Sequence, residues 1–142
     1  MSKLDQKAET GLELITGIMG PKFGEAMRAA AESDNFGSDI TRMALSFAFA
    51  DAWGRDGIDR RSKSMVVIAA LIALRQSKEL KNHVKIGLAN GLTINDFESI
   101  LVQLTPYVGF PCIASAMTEV VEALREAGRD PGAKTSEERG LL

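Results

Sequence analysis

Apolar residues recur every three or four positions along most of the chain, which is the spacing typical of amphipathic helices. Residues 3–19 illustrate it, with Leu4, Ala8, Leu12, Ile15 and Met19 on one predicted face. Similar spacing or apolar content continues in later stretches: 21–32, 39–53, 60–76, 77–90, 94–107 and 111–128. No alternation of apolar and polar residues persists beyond a few positions. The pattern predicts an all-α fold, a compact bundle of about six to seven helices.

Helix-capping residues mark several of the predicted boundaries. Pro21, after Gly20, is well suited to open the second helix. Ser77 is placed to cap the fifth helix, and Asn90-Gly91 supplies a left-handed stop at its end. Thr93 and Asp96 then have the spacing of a capping box. The apolar run 65–74 is too short to span a bilayer and predicts a helix buried in the middle of the bundle.

The domain organisation follows from where periodicity ends. Residues 1–128 carry the helical pattern and predict a single domain, a length that suffices for one hydrophobic core. From Arg129 onwards the chain is polar and lacks periodicity. We therefore expect residues 129–142 to form a flexible tail.

Composition excludes several functional classes. The chain has 142 residues, 17 basic and 19 acidic side chains and a net charge of −2, so it offers no basic surface for nucleic acid. Neither a membrane-spanning run nor an apolar leader is visible near the N-terminus, so no membrane partner is expected. The one cysteine, Cys112, cannot form an internal disulfide, which favours a reducing compartment such as the cytoplasm.

His83 is the most informative candidate for chemistry. It is the only histidine in the chain, and it lies in the predicted helix 77–90. Histidine changes charge near neutral pH and serves as a general acid or base in many enzymes. The competing interpretation is a surface histidine with a local hydrogen bond.

Three segments together resemble the carboxymuconolactone decarboxylase family. They are FADAWGRDGIDRRSKS at 49–64, ELKNH at 79–83 followed by NGLT at 90–93, and YVGFP at 107–111. The resemblance covers roughly residues 23–127. It implies an alkylhydroperoxidase D-like helical domain that assembles into a homo-oligomer, a trimer or hexamer. It also implies cofactor-free decarboxylation of a small anionic lactone or carboxylate in aromatic catabolism.

A redox branch of the same superfamily uses a Cys-x-x-Cys-x-x-x-His motif with a glutamate twelve residues before the first cysteine. Counted back from His83, the two cysteine positions hold Glu79 and Gln76, and the glutamate position holds Ser64. Thiol peroxidase chemistry needs a sulfur nucleophile, and ideally a second sulfur to resolve it. The resemblance therefore favours the decarboxylase-like branch over an alkylhydroperoxidase or peroxiredoxin.

The candidate site combines this resemblance with residue chemistry. His83 is the predicted acid/base, and Asp51, where decarboxylase-like relatives commonly have glutamate, is the predicted second catalytic residue. Predicted substrate contacts are Trp53, Arg55, Arg61, Glu79 and Tyr107. Each also has a structural interpretation, as a solvated acid, a core aromatic, or an arginine in ion pairs with acidic neighbours.

Neither a metal site nor a cofactor is expected, because the one histidine has no cluster of other ligands at metal-binding spacing. A non-catalytic, small-molecule-binding member of the family remains the alternative.

Overall fold

The structure is a computed structural model that describes residues 2–129 and 132–141. These residues form seven α-helices and one π-helical segment, with no strand among them, so the predicted all-α class is confirmed. The chain divides into two compact units, Met1–Asp59 and Arg60–Leu142. None of the described helices has the length and apolar character needed to cross a membrane.

The first unit contains α1 (Gln6–Met19), α2 (Pro21–Glu32), α3 (Ser38–Met43) and the π-helical segment Ala44–Trp53. Asp5 caps α1 by accepting a hydrogen bond from the Ala8 N–H at 2.8 Å. Gly20 adopts a positive φ of 93°, and Pro21 opens α2 as predicted. These two residues reverse the chain so that α1 and α2 pack together.

The stretch 39–53 is not the single regular helix that its spacing suggests. It starts as α3 and widens into the π-helical segment, whose end is marked by a hydrogen bond from Gly54 N–H to Phe49 O, five residues earlier. The segment packs against α1 at Gly11, where a Cβ atom would lie 1.8 Å from the Leu45 carbonyl oxygen. Leu45 is consequently buried against α1.

This arrangement leaves an apolar row on the surface of the first unit, called here the surface stripe: Phe36, Ile40, Met43 and Phe47. Ile40 is 68% exposed and Phe47 is 71% exposed in the single chain. Ile40, Met43 and Phe47 follow one another at spacings of three and four residues, which places them along one side of α3 and the π-helical segment, and Phe36 lies in the turn before α3. Exposed apolar side chains grouped in this way are typical of an interaction surface.

The second unit contains α4 (Arg60–Ala73), α5 (Ser77–Ala89), α6 (Ile94–Val108) and α7 (Phe110–Glu126). Its core is a cluster of buried apolar side chains from all four helices, among them Ile68, Leu80, Val84, Phe97 and Val120. Burial of such side chains supplies most of the stabilisation of a small helical unit.

Helix boundaries in this unit match most of the predicted signals. The Thr93–Asp96 capping box forms in both directions, with Asp96 N–H donating to Thr93 Oγ1 at 3.1 Å and Thr93 N–H donating to Asp96 Oδ2 at 2.8 Å. Gly91 has the predicted positive φ. The prediction that Ser77 caps α5 is wrong, because Ser77 is already the first residue of the helix and Gln76 precedes it without a side-chain capping bond. The prediction that α4 is buried on all sides is also wrong, since Val66 is 60% exposed.

The C-terminal residues 132–141 contact α7. Arg125 donates to both carboxylate oxygens of Glu138, at 2.6 and 3.2 Å, and to the Ala133 carbonyl oxygen at 2.7 Å. Thr135 is buried. The single domain and the flexible tail at 129–142 stay predictions, and residues 130, 131 and 142 of that tail lie outside the described residues.

Candidate functional site around His83

His83 lies in the middle of α5, one turn before the buried Gly87. The side chain is half-buried, and its Nδ1 atom is buried. The neighbouring Val84 is part of the core, so α5 is fixed on one side of the histidine. His83 is therefore a partly desolvated imidazole on a well-packed helix, which differs from a surface histidine open to water.

Burial lowers the pKa of His83 from its ordinary value of 6.5, because desolvation penalises the charged imidazolium. The carboxylate of Glu79, one turn earlier on α5, acts in the opposite direction and raises it. Desolvation is the larger effect, so the imidazole is mainly neutral at pH 7. A neutral imidazole has one N–H donor and one acceptor nitrogen.

Glu79 is the predicted site residue that α5 brings next to His83. It is exposed, and its i, i+4 spacing puts it on the same side of the helix. A negative charge one helical turn away favours the protonated imidazole, so Glu79 raises the pKa of His83.

Two lysines on another side of α5 fasten the helix to α7. Lys81 lies 3.3 Å from Glu122 and 2.9 Å from Glu126, and Lys85 lies 2.8 Å from Glu126. The hydrogen bonds from Lys85 and Lys81 lower the pKa of Glu126 to about 2. These partly exposed pairs contribute modestly to stability, but they fix the rotation of α5 that determines where His83 points.

Ser64 and Asn90 form a partly buried polar contact between α4 and the end of α5. Ser64 is 0% exposed, and Asn90 Nδ2 donates to its Oγ at 3.0 Å. A buried hydroxyl costs free energy unless it is hydrogen-bonded, so this pair favours one register of α4 against α5. Sequence reasoning did not anticipate the pair; a serine among the apolar positions of α4 was the available signal.

Arg61 is held by an ion pair within the second unit. Its guanidinium lies 2.6 Å from Asp96, the acidic residue of the α6 capping box. The backbone hydrogen bond from Thr93 and the Arg61 contact together lower the pKa of Asp96. This ion pair ties the start of α4 to the start of α6.

The predicted residues of the first unit lie at the end of the π-helical segment. Asp51 is exposed and pairs with Lys7 of α1, with 2.6 Å between Nζ and Oδ2. Trp53 is buried at 8% exposure, and Arg55 is exposed in the turn that follows. π-Helical segments often occur at functional sites, because the irregular backbone re-aims neighbouring side chains.

Tyr107 lies near the end of α6, directly after Pro106, and is 78% exposed in the single chain. Its phenol is therefore accessible to a ligand or to another protein surface. Within the described part of the chain, no cluster of three or more histidine, cysteine, aspartate or glutamate side chains could hold a metal ion.

A small cavity of about 210 Å³ lies where α4 turns into α5 and meets α7. Its lining includes Arg75, Gln76 and Ser77 at the turn and Cys112 and Ser115 on α7. Sequence reasoning missed this cavity, because it depends on the approach of α7 to the turn.

Comparison with known sequences finds a family match and two named relatives. The sequence model of the carboxymuconolactone decarboxylase family matches residues 38–125. A 4-carboxymuconolactone decarboxylase from Acinetobacter baylyi is 29% identical over 127 residues, which cover 89% of this chain and 93% of the relative. The nitrosuccinic acid decarboxylase npaB from Metarhizium robertsii is 24% identical over 110 residues, 77% of this chain and 75% of the relative.

The family match includes α3, the π-helical segment, and the helices that carry His83, Ser64 and Asn90. It spans more than half of the chain and agrees with the resemblance drawn from the three sequence segments. The chain therefore belongs to the carboxymuconolactone decarboxylase family.

Proposed function

We propose that the protein is a lyase that decarboxylates a small carboxylated γ-lactone of the 4-carboxymuconolactone type without a cofactor, in the breakdown of aromatic compounds. Family membership and two relatives named as decarboxylases support this proposal. The structural observation that carries it is His83, a half-buried imidazole with a lowered pKa on a rigid helix.

The reaction requires an electron acceptor and a proton donor. When the C–C bond to the carboxylate breaks and CO2 leaves, its electron pair delocalises through the ring double bond onto the lactone carbonyl. A nearby N–H donor stabilises the resulting oxyanion, and a proton then has to reach carbon. His83 supplies both roles in this proposal.

The protonation state of His83 changes with the ligand in this mechanism. Burial keeps the imidazole mainly neutral in the free protein. An anionic substrate beside it raises its pKa, since an opposite charge favours the imidazolium. The substrate therefore draws in the proton that is later delivered to carbon, and Glu79 assists in the same direction.

The other site residues remain proposals with unequal support. Glu79 is supported by its electrostatic effect on His83. Asp51 as a second catalytic residue, and Arg61 as a substrate contact, would each have to exchange an existing ion pair for that role. Trp53, Arg55 and Tyr107 are proposed as substrate contacts on the family resemblance.

We also propose a homo-oligomer, a trimer or hexamer, in the cytoplasm. The surface stripe supports assembly, because a second copy would remove its four apolar side chains from water. The buried thiol of Cys112, the only cysteine, supports a reducing compartment. The same single cysteine opposes a thiol peroxidase, which needs an accessible sulfur nucleophile and ideally a second sulfur to resolve it.

The direct test is CO2 release from 4-carboxymuconolactone by the wild type, His83→Gln and His83→Ala. We expect a kcat loss of about a hundredfold to ten-thousandfold in both variants, the range for removal of a general acid or base. Asn82→Ala, an exposed neighbour on α5, is the matched control and should keep wild-type kcat. Absence of turnover in the wild type would reject the reaction, and full activity of His83→Ala would reject the mechanism.

A further inference from the structure

The cavity at the turn between α4 and α5 has the lining of an anion-binding pocket. Its polar side comes from Arg75, Gln76, Ser77 and Ser115, and its floor includes Leu80 and Cys112. Among the described residues that line it, none is acidic. Its volume of about 210 Å³ equals the volume of roughly seven water molecules. This space accommodates a carboxylate on a short carbon chain.

Arg75 occupies a backbone position that normally belongs to glycine. Its φ is 57°, and it is the one non-glycine residue with a positive φ in the described part of the chain. Gly20, Gly91 and Gly109 take positive φ values at other helix ends. A left-handed arginine costs free energy that glycine would avoid. This cost indicates that the arginine side chain itself is needed at position 75.

The guanidinium of Arg75 is available for a ligand. Within the described residues it makes neither an ion pair nor a hydrogen bond, whereas Arg28, Arg61 and Arg125 are all engaged with carboxylates. Arginine binds carboxylates through two parallel N–H donors, which fixes their orientation as well as their charge.

Three other polar side chains of the lining are held in place by hydrogen bonds within the protein. Cys112 Sγ donates to the Ile72 carbonyl oxygen at 3.1 Å, and Ser115 Oγ donates to the Pro111 carbonyl oxygen at 3.2 Å. These bonds hold the two α7 side chains at the cavity. The Gln76 amide donates to Leu74 O at 3.3 Å, which keeps the turn closed beneath Arg75.

The pocket lies along the helix that carries His83. Leu80, part of the cavity lining, precedes His83 on α5 by three residues, so the two residues are neighbours on the helix surface, about 4.5 Å apart along its axis. The cavity therefore begins within one helical turn of His83, a separation that a small organic acid with two carboxylates can bridge.

We propose that the Arg75 pocket binds the carboxylate that decarboxylation leaves in place, so that Arg75 is a substrate-binding residue that holds the non-reacting end. This inference rests on the proposed function, in which the other carboxylate leaves as CO2 beside His83. A contact to a carboxylate that does not react is equally strong before and during the reaction, so it contributes to substrate affinity.

The kinetic test compares Arg75→Gly, Arg75→Lys and wild type with 4-carboxymuconolactone. Loss of a charged, bidentate contact should raise KM about tenfold to a hundredfold in Arg75→Gly with little change in kcat, as expected when a contact is equally strong in ground and transition states. Arg75→Lys should recover part of the affinity. Arg129→Gly, which removes another exposed arginine of the same unit, is the matched control and should leave KM unchanged.

Glycine at position 75 also removes the backbone cost, so Arg75→Gly should melt at or above the wild-type temperature. A loss of affinity then cannot be attributed to unfolding. An unchanged KM in Arg75→Gly would overturn the proposal, as would equal loss in Arg129→Gly.

A binding experiment separates this proposal from the proposed function. Succinate is the probe, and the backbone amide signals of Ser77 and Ser115 are followed by NMR. Saturable shifts in wild type and in His83→Ala, weakened about tenfold or more in Arg75→Gly, support the pocket even if the wild type releases no CO2. Absence of saturable shifts in the wild type, or identical affinity in Arg75→Gly, would reject the pocket whatever the outcome for turnover.

Discussion

At the scale of single residues, the protonation of His83 can be followed directly. His83 is the only histidine, so its imidazole gives one unambiguous NMR signal. We expect that signal to titrate below pH 6.5, because burial lowers the pKa. Glu79→Gln should lower the midpoint further, since Glu79 raises the pKa of His83. Glu98→Gln on α6 is a charge-matched control, and a midpoint at or above 6.5 in the wild type would contradict the burial.

The same residue makes stability depend on pH. The folded-state pKa of His83 lies below its ordinary value of 6.5, so the unfolded chain binds more protons between the two values. The contribution is present above pH 6.5 and is lost as pH falls through the folded-state pKa. Glu126 and Glu138, each with a pKa of about 2, lose their contributions only below about pH 4.5.

Urea unfolding at pH 7.5 and at pH 5 therefore isolates the histidine. The wild type should have the lower free energy of unfolding at pH 5. His83→Gln, which cannot titrate, should show a smaller difference between the two pH values. An equal difference in the two proteins would mean that His83 is not the group responsible.

At the scale of elements, the contact between α1 and the π-helical segment depends on a missing Cβ atom. Gly11→Ala would place a methyl group 1.8 Å from the Leu45 carbonyl oxygen, so the two segments must separate. We expect a loss of about 1 to 3 kcal/mol in the free energy of unfolding. Gly17→Ala on the same helix meets no atom within 4 Å and should stabilise by about 0.5 to 1 kcal/mol. Equal effects of the two substitutions would contradict the close approach.

The capping box of α6 gives a second test at this scale. Thr93→Ala removes the acceptor for the Asp96 N–H and should cost about 1 kcal/mol of stability. Thr118→Ala on α7, whose hydroxyl donates to a carbonyl oxygen of its own helix, should change stability by less than about 0.5 kcal/mol. Chemical denaturation of both variants checks the difference.

Sequence patterns predicted the helices well because their signals are local. Pro21, Gly91 and the Thr93–Asp96 pair act within a few residues, and each has its expected geometry. The widening of α3 into a π-helical segment could not be predicted, because it accompanies a contact between Leu45 and the distant Gly11.

The candidate site was predictable only in part, for a related reason. His83 is recognisable from its type and its place in the family motif. The lowered pKa, the Ser64–Asn90 contact and the Arg75 cavity arise where α4, α5 and α7 meet, and single-sequence spacing does not encode those meetings.

At the scale of the whole molecule, the surface stripe is the feature that a single chain leaves unexplained. If a second copy covers it, Phe47→Glu should shift the oligomer towards smaller species, because a buried carboxylate without a partner opposes association. Light scattering after size exclusion measures this. Gln6→Glu adds the same charge at an exposed position of α1 and should leave the mass unchanged. An unchanged mass for Phe47→Glu would exclude the stripe as an interface.

The placement of Trp53 and Cys112 provides the chain with two intrinsic reporters. Trp53 is the only tryptophan and is buried in the first unit, while Cys112 is the only cysteine and is buried in the second. Fluorescence therefore follows unfolding of one unit, and reaction with an added thiol reagent follows opening of the other, without any engineered residue. For the single domain that the sequence predicts, we expect the two denaturation curves to coincide. Separate midpoints would mean that the two units unfold independently.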